Sequence, residues 1–164
     1  DGSGYNRMAG AAAVLYEHGE LRPEATIRYQ LGPLSKNTMF DAEGVGILLG
    51  LNIIDKYVYE PNPRDTLICL DGRSAKEALR AQNTMSGKNI VDATLRLACQ
   101  QAKENGREQI ASVTWIPGHC GIPGNEKADE EAKKAAAGNV SSVNDLSSYL
   151  AKGPLPATAS AIRQ

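Results

Sequence analysis

This sequence of 164 residues is poor in aromatic residues, in long apolar runs and in net charge, and each shortage limits the kind of core, the membrane contacts or the charged partners to be expected. Aromatic residues make up 5% of the chain, so we expect a core built from Ala, Val, Ile and Leu. No apolar run approaches the roughly 20 residues that a membrane-spanning helix needs, and no secretory signal opens the sequence. We therefore expect no membrane partner, and the cysteine content favours an intracellular protein, nuclear or cytoplasmic.

Cysteine is also scarce, with three residues at unpatterned spacing: Cys69, Cys99 and Cys120. An odd number at such spacing is typical neither of a disulfide framework nor of a zinc site, and it favours reduced thiols. Because Cys69 and Cys99 lie in apolar runs, we expect both in the core. Cys120 lies in a loop, and we assign it no role.

The formal net charge is −1, so the whole chain exerts no general attraction on a polyanion. The charge is unevenly distributed, however. Residues 1–70 carry six Lys and Arg against nine Asp and Glu, whereas residues 71–110 carry seven against five. A nucleic acid would contact the middle segment and would have to avoid the acids of the first, or bridge to them through metal ions.

The order of apolar patterns predicts a single mixed α/β domain. After a turn-like DGSG, the runs GAAAVLY and ATIRYQL predict two antiparallel strands, with Ile27, Tyr29 and Leu31 on one face. NTMFDAEGVGILLGLNIIDKYVY has helical spacing, and its glycines would let the helix lie close to a sheet. DTLICLD and QIASVTWI predict further strands, reached by helical crossovers. Residues 139–164, rich in Ser, Ala and Pro, predict a linker or loosely docked tail.

Four carboxylates lie at or near the ends of predicted elements: Asp1, Glu43, Asp71 and Asp129. Each alone has an ordinary explanation as a turn residue or part of a solvated helix face. Asp71 ends an apolar strand, where sites form in sheets with parallel strands. If the four converge, their mutual repulsion calls for cations, and oxygen-only ligands suit Mg²⁺ or Mn²⁺.

The most distinctive segment is WIPGHCGIPGNEKADEEAKKAA at 115–136, which joins a Gly-rich loop to a helix start. Together with DGSG…GAAAVLY, NTMFDAEGVGILLGL and LICLDGRSAKEAL, in this order, it resembles a type 1 ribonuclease H domain. The closest likeness is to the RNase H region of reverse-transcriptase polyproteins from fungal non-LTR (LINE-like) retrotransposons. The matching pieces cover most of residues 1–138, which we predict to be the catalytic domain.

The resemblance implies an RNase H-like fold, with a mixed five-stranded sheet flanked by helices, here with its first strand truncated. It implies an endonuclease that hydrolyses the RNA strand of RNA/DNA hybrids with two Mg²⁺ ions, or Mn²⁺ as a substitute. The implied metal ligands are the four carboxylates already named. The implied catalytic residues are these four acids and the loop histidine: Asp1, Glu43, Asp71, His119 and Asp129.

The same resemblance implies substrate contacts from five further residues: Ser3, Asn6, Arg73, Ser74 and Asn125. Asn125 could also be a helix N-cap. Arg73 and Ser74 could equally belong to an exposed helix face that contacts no substrate. Trp115 leads the motif, and we expect it in the core. Residues 82–88 leave no room for a basic helical protrusion, so hybrid binding would depend on an attached polymerase.

The implied partners are an RNA/DNA hybrid and a covalently linked reverse-transcriptase domain, with the isolated domain a monomer. An alternative is an RNase H-fold module that binds nucleic acid or has a structural role after losing catalysis. A 3′–5′ exonuclease or an integrase on the same fold does not carry the W-x-P-G-H…N-E-x-A-D pattern.

Overall fold

The computed structural model describes residues 1–59, 65–81, 87–153 and 155. Its strands and helices are β1 (Gly2–Tyr5), β2 (Met8–Leu15), β3 (Ala25–Pro33), α1 (Met39–Tyr57), β4 (Leu67–Leu70), α2 (Arg73–Ala81), α3 (Lys88–Glu104), β5 (Ser112–Trp115) and α4 (Pro123–Ala136). Two short 3₁₀ turns follow at Val143–Asp145 and Leu150–Lys152. The DGSG stretch contributes to β1, so our assignment of a turn there was wrong.

Strands β1, β2 and β3 form an antiparallel sheet in that order. The expected alternation in β3 is confirmed, because Ile27, Tyr29 and Leu31 are all buried. Strand β2 is rich in Ala because both α1 and α4 pack on it. At Gly10, an added Cβ would lie 2.2 Å from the backbone nitrogen of Ala136 in α4, so only glycine permits this approach.

Strands β4 and β5 form a separate parallel pair, in register from Leu67↔Ser112 to Leu70↔Trp115. Helices α2 and α3 make the crossover between them, as parallel pairing requires. Among the described residues the two sheets are not hydrogen-bonded to each other, so the single five-stranded sheet is not shown. A groove of about 890 Å³ lies along both sheets, lined by residues of β2 and β4.

Helix α1 is the central helix of the fold. Thr38 caps its N-terminus: its hydroxyl accepts a hydrogen bond from the Asp41 backbone N–H, and the Asp41 carboxylate accepts one from the Thr38 backbone N–H. Its apolar face supplies much of the largest core cluster. The prediction that its glycines allow close approach to a sheet is confirmed at Gly46, where an added Cβ would lie 2.5 Å from the Asp1 nitrogen.

The segment after α4 is docked on the domain as far as the structure describes it. Leu150 and Leu155 belong to the largest core cluster and are 2% and 9% exposed. The Tyr29 hydroxyl donates to the Gly153 carbonyl at 3.3 Å. The expectation of a linker or loosely docked tail is therefore wrong for this part. Residues 156–164 lie outside the described residues, and the domain boundary at 138 stays a prediction.

Cys69 and Cys99 are exposed, so their assignment to the core was wrong. In β4 successive side chains point to opposite faces, and Leu70, not Cys69, takes the buried side.

The expected lack of a basic protrusion falls largely on residues 82–86, outside the described residues. No helix in the described part of the chain has the length and apolarity to cross a membrane.

Candidate active site

Three carboxylates from distant parts of the sequence meet at one place. Asp1 precedes β1, Glu43 lies near the N-terminus of α1, and Asp71 directly follows β4. One ligand oxygen from each lies within 4.8 Å of those of the other two, and all three residues are partly buried. Such a cluster is close enough to bind one cation jointly.

Glycines make this convergence possible. At Gly2, an added Cβ would lie 2.5 Å from the Glu43 backbone nitrogen, so β1 reaches α1 only without a side chain there. At Gly72, an added Cβ would lie 2.9 Å from the Glu43 carboxylate. The backbone beside Asp71 is therefore also packed directly against Glu43.

The cluster is electrostatically strained. Burial raises the pKa of Glu43, the ammonium group of Asp1 opposes this rise, and the neighbouring Asp71 and Asp129 add to it. Burial likewise lowers the pKa of the Asp1 ammonium, against the attraction of the carboxylates of Glu43, Asp71 and Asp129. Desolvation and like charge both disfavour ionised carboxylates, so a bound cation would relieve the site.

The donor set fits a hard divalent cation. All its ligand atoms are carboxylate oxygens, the type that Mg²⁺ and Mn²⁺ prefer. The Oδ2 atom of Asp1 is buried and has no hydrogen-bond partner among the described residues. An unpaired buried carboxylate oxygen is costly, and coordination to a cation would satisfy it.

Asp129 lies beside this cluster without joining it. Its Oδ2 accepts a hydrogen bond from Lys133 Nζ at 2.5 Å, one helical turn along α4. It is still near enough to raise the pKa of Glu43. The structure thus brings together three of the four predicted ligands and pairs the fourth with a lysine. The spacing of four residues was visible in the sequence, but it was not used to predict this pair.

The loop after β5 packs directly on Asp71. At Gly118, an added Cβ would lie 2.4 Å from Asp71 Oδ2, and Asn125 Nδ2 donates to the same oxygen at 3.2 Å. His119 is exposed and has a φ of +53°, a left-handed conformation uncommon outside glycine. Ile122 is the N-cap of α4, so Asn125 does not fill that role and instead orients a carboxylate.

The remaining predicted substrate residues lie in β1, in the β1–β2 turn and at the start of α2. Asn6 is exposed in the turn with a φ of +48°, whereas Ser3 is 7% exposed within β1. Arg73 and Ser74 are exposed in the first turn of α2. Three of the four therefore expose their side chains to solvent, whereas the side chain of Ser3 is buried.

Trp115 is not in the core, contrary to our expectation. Trp115 is the last residue of β5, and it is 39% exposed. Its Nε1 donates to the Asp71 carbonyl at 2.9 Å, and the Arg73 guanidinium lies 5.1 Å from the ring centroid. The sequence signal that could have indicated this contact is that Asp71 and Trp115 each lie at or near the end of a predicted strand, because the carboxyl ends of two parallel strands meet at the same edge of a sheet.

A family model described as RNase H matches residues 65–137 of the chain. The matched segment contains Asp71, His119, Asn125 and Asp129, whereas Asp1 and Glu43 lie before it. The match supports a type 1 RNase H domain and, with it, ribonuclease H activity. RNase H domains hydrolyse the RNA strand of an RNA/DNA hybrid and generally use divalent metal ions, which agrees with the acidic cluster.

Proposed function

We propose that this chain is an endonuclease that cuts the RNA strand of RNA/DNA hybrids with two divalent metal ions. The observation that carries the proposal is the meeting of Asp1, Glu43 and Asp71 within 4.8 Å, on a chain that matches the RNase H family. Neither the ordinary turn nor the solvated-helix explanation accounts for three such acids in one partly buried cluster.

In this proposal Asp1, Glu43, Asp71 and Asp129 hold two Mg²⁺ ions, for which Mn²⁺ can substitute. Bound ions of this kind promote attack by water on a phosphodiester and stabilise the leaving oxygen. Asn125 and the Gly118 backbone keep the Asp71 carboxylate in place. For Asp129 to join, its carboxylate must leave Lys133, whose side chain is 54% exposed and can turn towards solvent.

His119 is proposed to move a proton during turnover or to assist product release. Support comes from its exposed position on a loop that packs against Asp71. Imidazole exchanges protons near neutral pH, which suits either task. The products are proposed to carry 5′-phosphate and 3′-hydroxyl ends, as the family resemblance implies.

Ser3, Asn6, Arg73, Ser74 and Asn125 are proposed to contact the hybrid. The exposed Asn6, Arg73 and Ser74 offer donors to phosphate or to 2′-hydroxyl groups. RNA carries the 2′-hydroxyl and DNA does not, so contacts to this group would select the strand that is cut.

The backbone at Asp1 also allows the two sheets to be joined. Asp1 pairs with Ala12 of β2 through two hydrogen bonds of 2.9 Å, and β2 continues to Leu15 along the groove that it shares with β4. Extended residues placed before Asp1 would enter this groove and could bond to both edges. Such an extension would join the two sheets into the five-stranded sheet of the family.

The biological context is a further proposal that rests on motif resemblance alone. We propose a domain of a reverse-transcriptase polyprotein from a fungal non-LTR retrotransposon, monomeric in isolation and nuclear or cytoplasmic. The reading frame that encodes the chain tests this context. A reverse-transcriptase region upstream of residue 1 would support it, and an unrelated upstream region would reject it.

The activity is tested with a labelled RNA/DNA hybrid in Mg²⁺, using the 164-residue chain and a version extended before Asp1 by the residues of its parent protein. We expect cleavage of the RNA strand and none of double-stranded DNA, with Asp71→Asn as the inactive control. Equal degradation of single-stranded DNA would contradict the role of the 2′-hydroxyl. Hybrid binding without cleavage in both Mg²⁺ and Mn²⁺ would favour the alternative, a binding module that has lost catalysis.

A further inference from the structure

The side chain of Trp115 contacts both Asp71, a proposed metal ligand, and Arg73, a proposed substrate-binding residue. Its indole N–H holds the carbonyl of Asp71, a proposed metal ligand, at 2.9 Å. Its ring lies under the Arg73 guanidinium, 5.1 Å away. Arg73 is exposed, and the tryptophan keeps 39% of its surface accessible, so neither is simply part of the core.

We infer that Trp115 is a positioning residue that aims Arg73 at a phosphate of the hybrid and fixes the backbone of Asp71. This inference rests on the proposed function, because it assigns a task within the same site. The bridging side chain links substrate binding, through Arg73, to metal binding, through Asp71.

The first link follows from the chemistry of arginine. A guanidinium is planar and always charged, and it presents several N–H donors around its edge. When one face stacks on an aromatic ring, the edge donors remain free to bind phosphate oxygens. An unsupported arginine loses side-chain entropy when it binds, and stacking on Trp115 lowers that loss.

The second link follows from the position of the hydrogen bond. Trp115 and Asp71 lie at the carboxyl ends of adjacent parallel strands, where β4 and β5 stop. The bond from Nε1 to the Asp71 carbonyl fixes the backbone from which the carboxylate projects. Asn125 holds the carboxylate itself, so Asp71 is held at two places.

Loss of the contact between Trp115 and Arg73 should affect hybrid binding, whereas loss of the hydrogen bond from Trp115 to Asp71 should affect the Mg²⁺ dependence. In Trp115→Leu both the ring and the N–H are lost, whereas Trp115→Phe keeps an aromatic face and loses only the donor. Arg73→Gln removes the charge and keeps a polar side chain of moderate length. Arg73→Lys keeps the charge without a planar group to stack.

Binding is measured with a 20-base-pair RNA/DNA hybrid in Ca²⁺, which takes oxygen ligands as Mg²⁺ does, over a series of salt concentrations. Arg73→Gln should weaken binding and reduce the slope of log affinity against log salt by about 0.9, the value for one phosphate contact. Trp115→Leu should weaken binding about two- to fivefold, the size of an exposed cation–π contact. The double variant should bind no more weakly than Arg73→Gln alone.

Single-turnover cleavage in Mg²⁺ tests the second link. Trp115→Phe should bind hybrid within about twofold of the parent chain, because a ring still lies under Arg73. It should need about fivefold more Mg²⁺ for half-maximal rate, the size of one neutral hydrogen bond. Thermal unfolding identifies variants that do not fold. If Trp115→Leu is one of them, Arg73→Lys replaces it and should keep the salt slope while binding about twofold more weakly.

The inference is overturned if the effects of Arg73→Gln and Trp115→Leu multiply independently, since Trp115 would then not act through Arg73. It is equally overturned if Arg73→Lys binds as the parent does, or if Trp115→Phe leaves the Mg²⁺ dependence unchanged. Failure of the proposed function gives a different result: the unsubstituted chain, with or without residues added before Asp1, would bind hybrid and cut no RNA. In that case the binding cycle still decides whether Trp115 positions Arg73.

Discussion

Asp71 is the residue on which most contacts of the candidate site converge. Asn125 donates to its carboxylate, the Gly118 backbone packs against the same oxygen, and Trp115 donates to its carbonyl. His119, by contrast, is an exposed loop residue. The two side chains should therefore differ in what they contribute to activity and stability.

Asp71→Asn should reduce single-turnover hybrid cleavage more than His119→Ala does. A neutral amide is a poor ligand for a hard cation, whereas a general acid–base group contributes typically about 10²–10⁴-fold. In metal-free unfolding, His119→Ala should melt like the parent, and Asp71→Asn should melt at the same or a higher temperature because carboxylate repulsion is relieved. Equal activity losses, or a clear stability loss in His119→Ala, would mean that His119 is structural.

Glu131 is a second residue with several partners, away from the acidic cluster. It is 4% exposed, and its carboxylate is paired with Arg28 at 2.5 Å, Lys134 at 2.8 Å and Lys127 at 3.0 Å. Burial alone would raise its pKa, but hydrogen bonds from Lys134, Lys127 and Arg28 outweigh burial and lower the pKa to about 2. The network ties α4 to β3.

Because the folded-state pKa of Glu131 lies below that of the unfolded chain, its stabilisation is present above pH of about 4.5 and lost as pH falls towards 2. Glu131→Gln should lower the free energy of unfolding at pH 7 by about 1.5–3 kcal/mol, as for hydrogen bonds to a charged group. It should also flatten the loss of stability with acid. Glu130→Gln, on an exposed neighbour, is the control and should change little. Equal effects in both variants would contradict a special role for Glu131.

At the scale of elements, helix α1 is positioned by its glycines. Gly46 and Gly50 lie one turn apart, but an added Cβ would lie 2.5 Å from the Asp1 nitrogen at Gly46 and 3.7 Å from Ile68 at Gly50. The first distance is a clash with backbone, and the second is an ordinary contact. The close approach of α1 to β1 therefore depends on Gly46 alone of this pair.

Gly46→Ala should lower the free energy of unfolding by about 1–3 kcal/mol, the usual cost of overpacking. It should also weaken Mg²⁺ binding, because it displaces Asp1 from the cluster. Gly50→Ala should be neutral or stabilising by up to about 1 kcal/mol, because alanine is the better helix former. Denaturant unfolding and Mg²⁺ titration compare the two. A tolerated Gly46→Ala would show that β1 and α1 separate easily.

At the scale of the whole molecule, the segment after α4 completes the core. Leu150 lies in the largest core cluster with residues of β2, β3 and α1. Leu146 and Tyr149 are partly buried and pack against this cluster. Arg28 N donates to Ser141 Oγ at 3.0 Å, which fixes the start of the segment against β3. The strands and helices before residue 138 and this segment therefore share apolar contacts.

Leu150→Ala should lower the free energy of unfolding by about 2–5 kcal/mol, as for other buried leucines. Val143→Ala, at a residue that is 61% exposed in the same segment, is the matched control and should change it little. Hybrid cleavage at a temperature where both variants are folded should stay close to that of the parent. A small effect of Leu150→Ala would restore the view that the domain ends near residue 138.

Much of the element order could be predicted from the sequence, because it depends on local periodicity. The alternation of Ile27, Tyr29 and Leu31 fixes the inner face of β3, and helical spacing marks α1. The acids were recognisable by their places at or near element ends, and the segment at 115–136 by its motif. These signals lie within a few residues of one another, so they need no knowledge of packing.

Long-range packing decided the rest. Only the folded chain brings Asp1, Glu43 and Asp71 together, pairs Asp129 with Lys133, and leaves Trp115 at the surface beside Arg73. Only packing buries Leu150, whose surroundings in the sequence are polar and rich in serine. A residue's neighbours along the chain determine its conformation, whereas its burial and partners depend on surfaces supplied by distant segments. For that reason the sequence by itself determined the elements and the candidate acids, and tertiary structure decided which of them share a site.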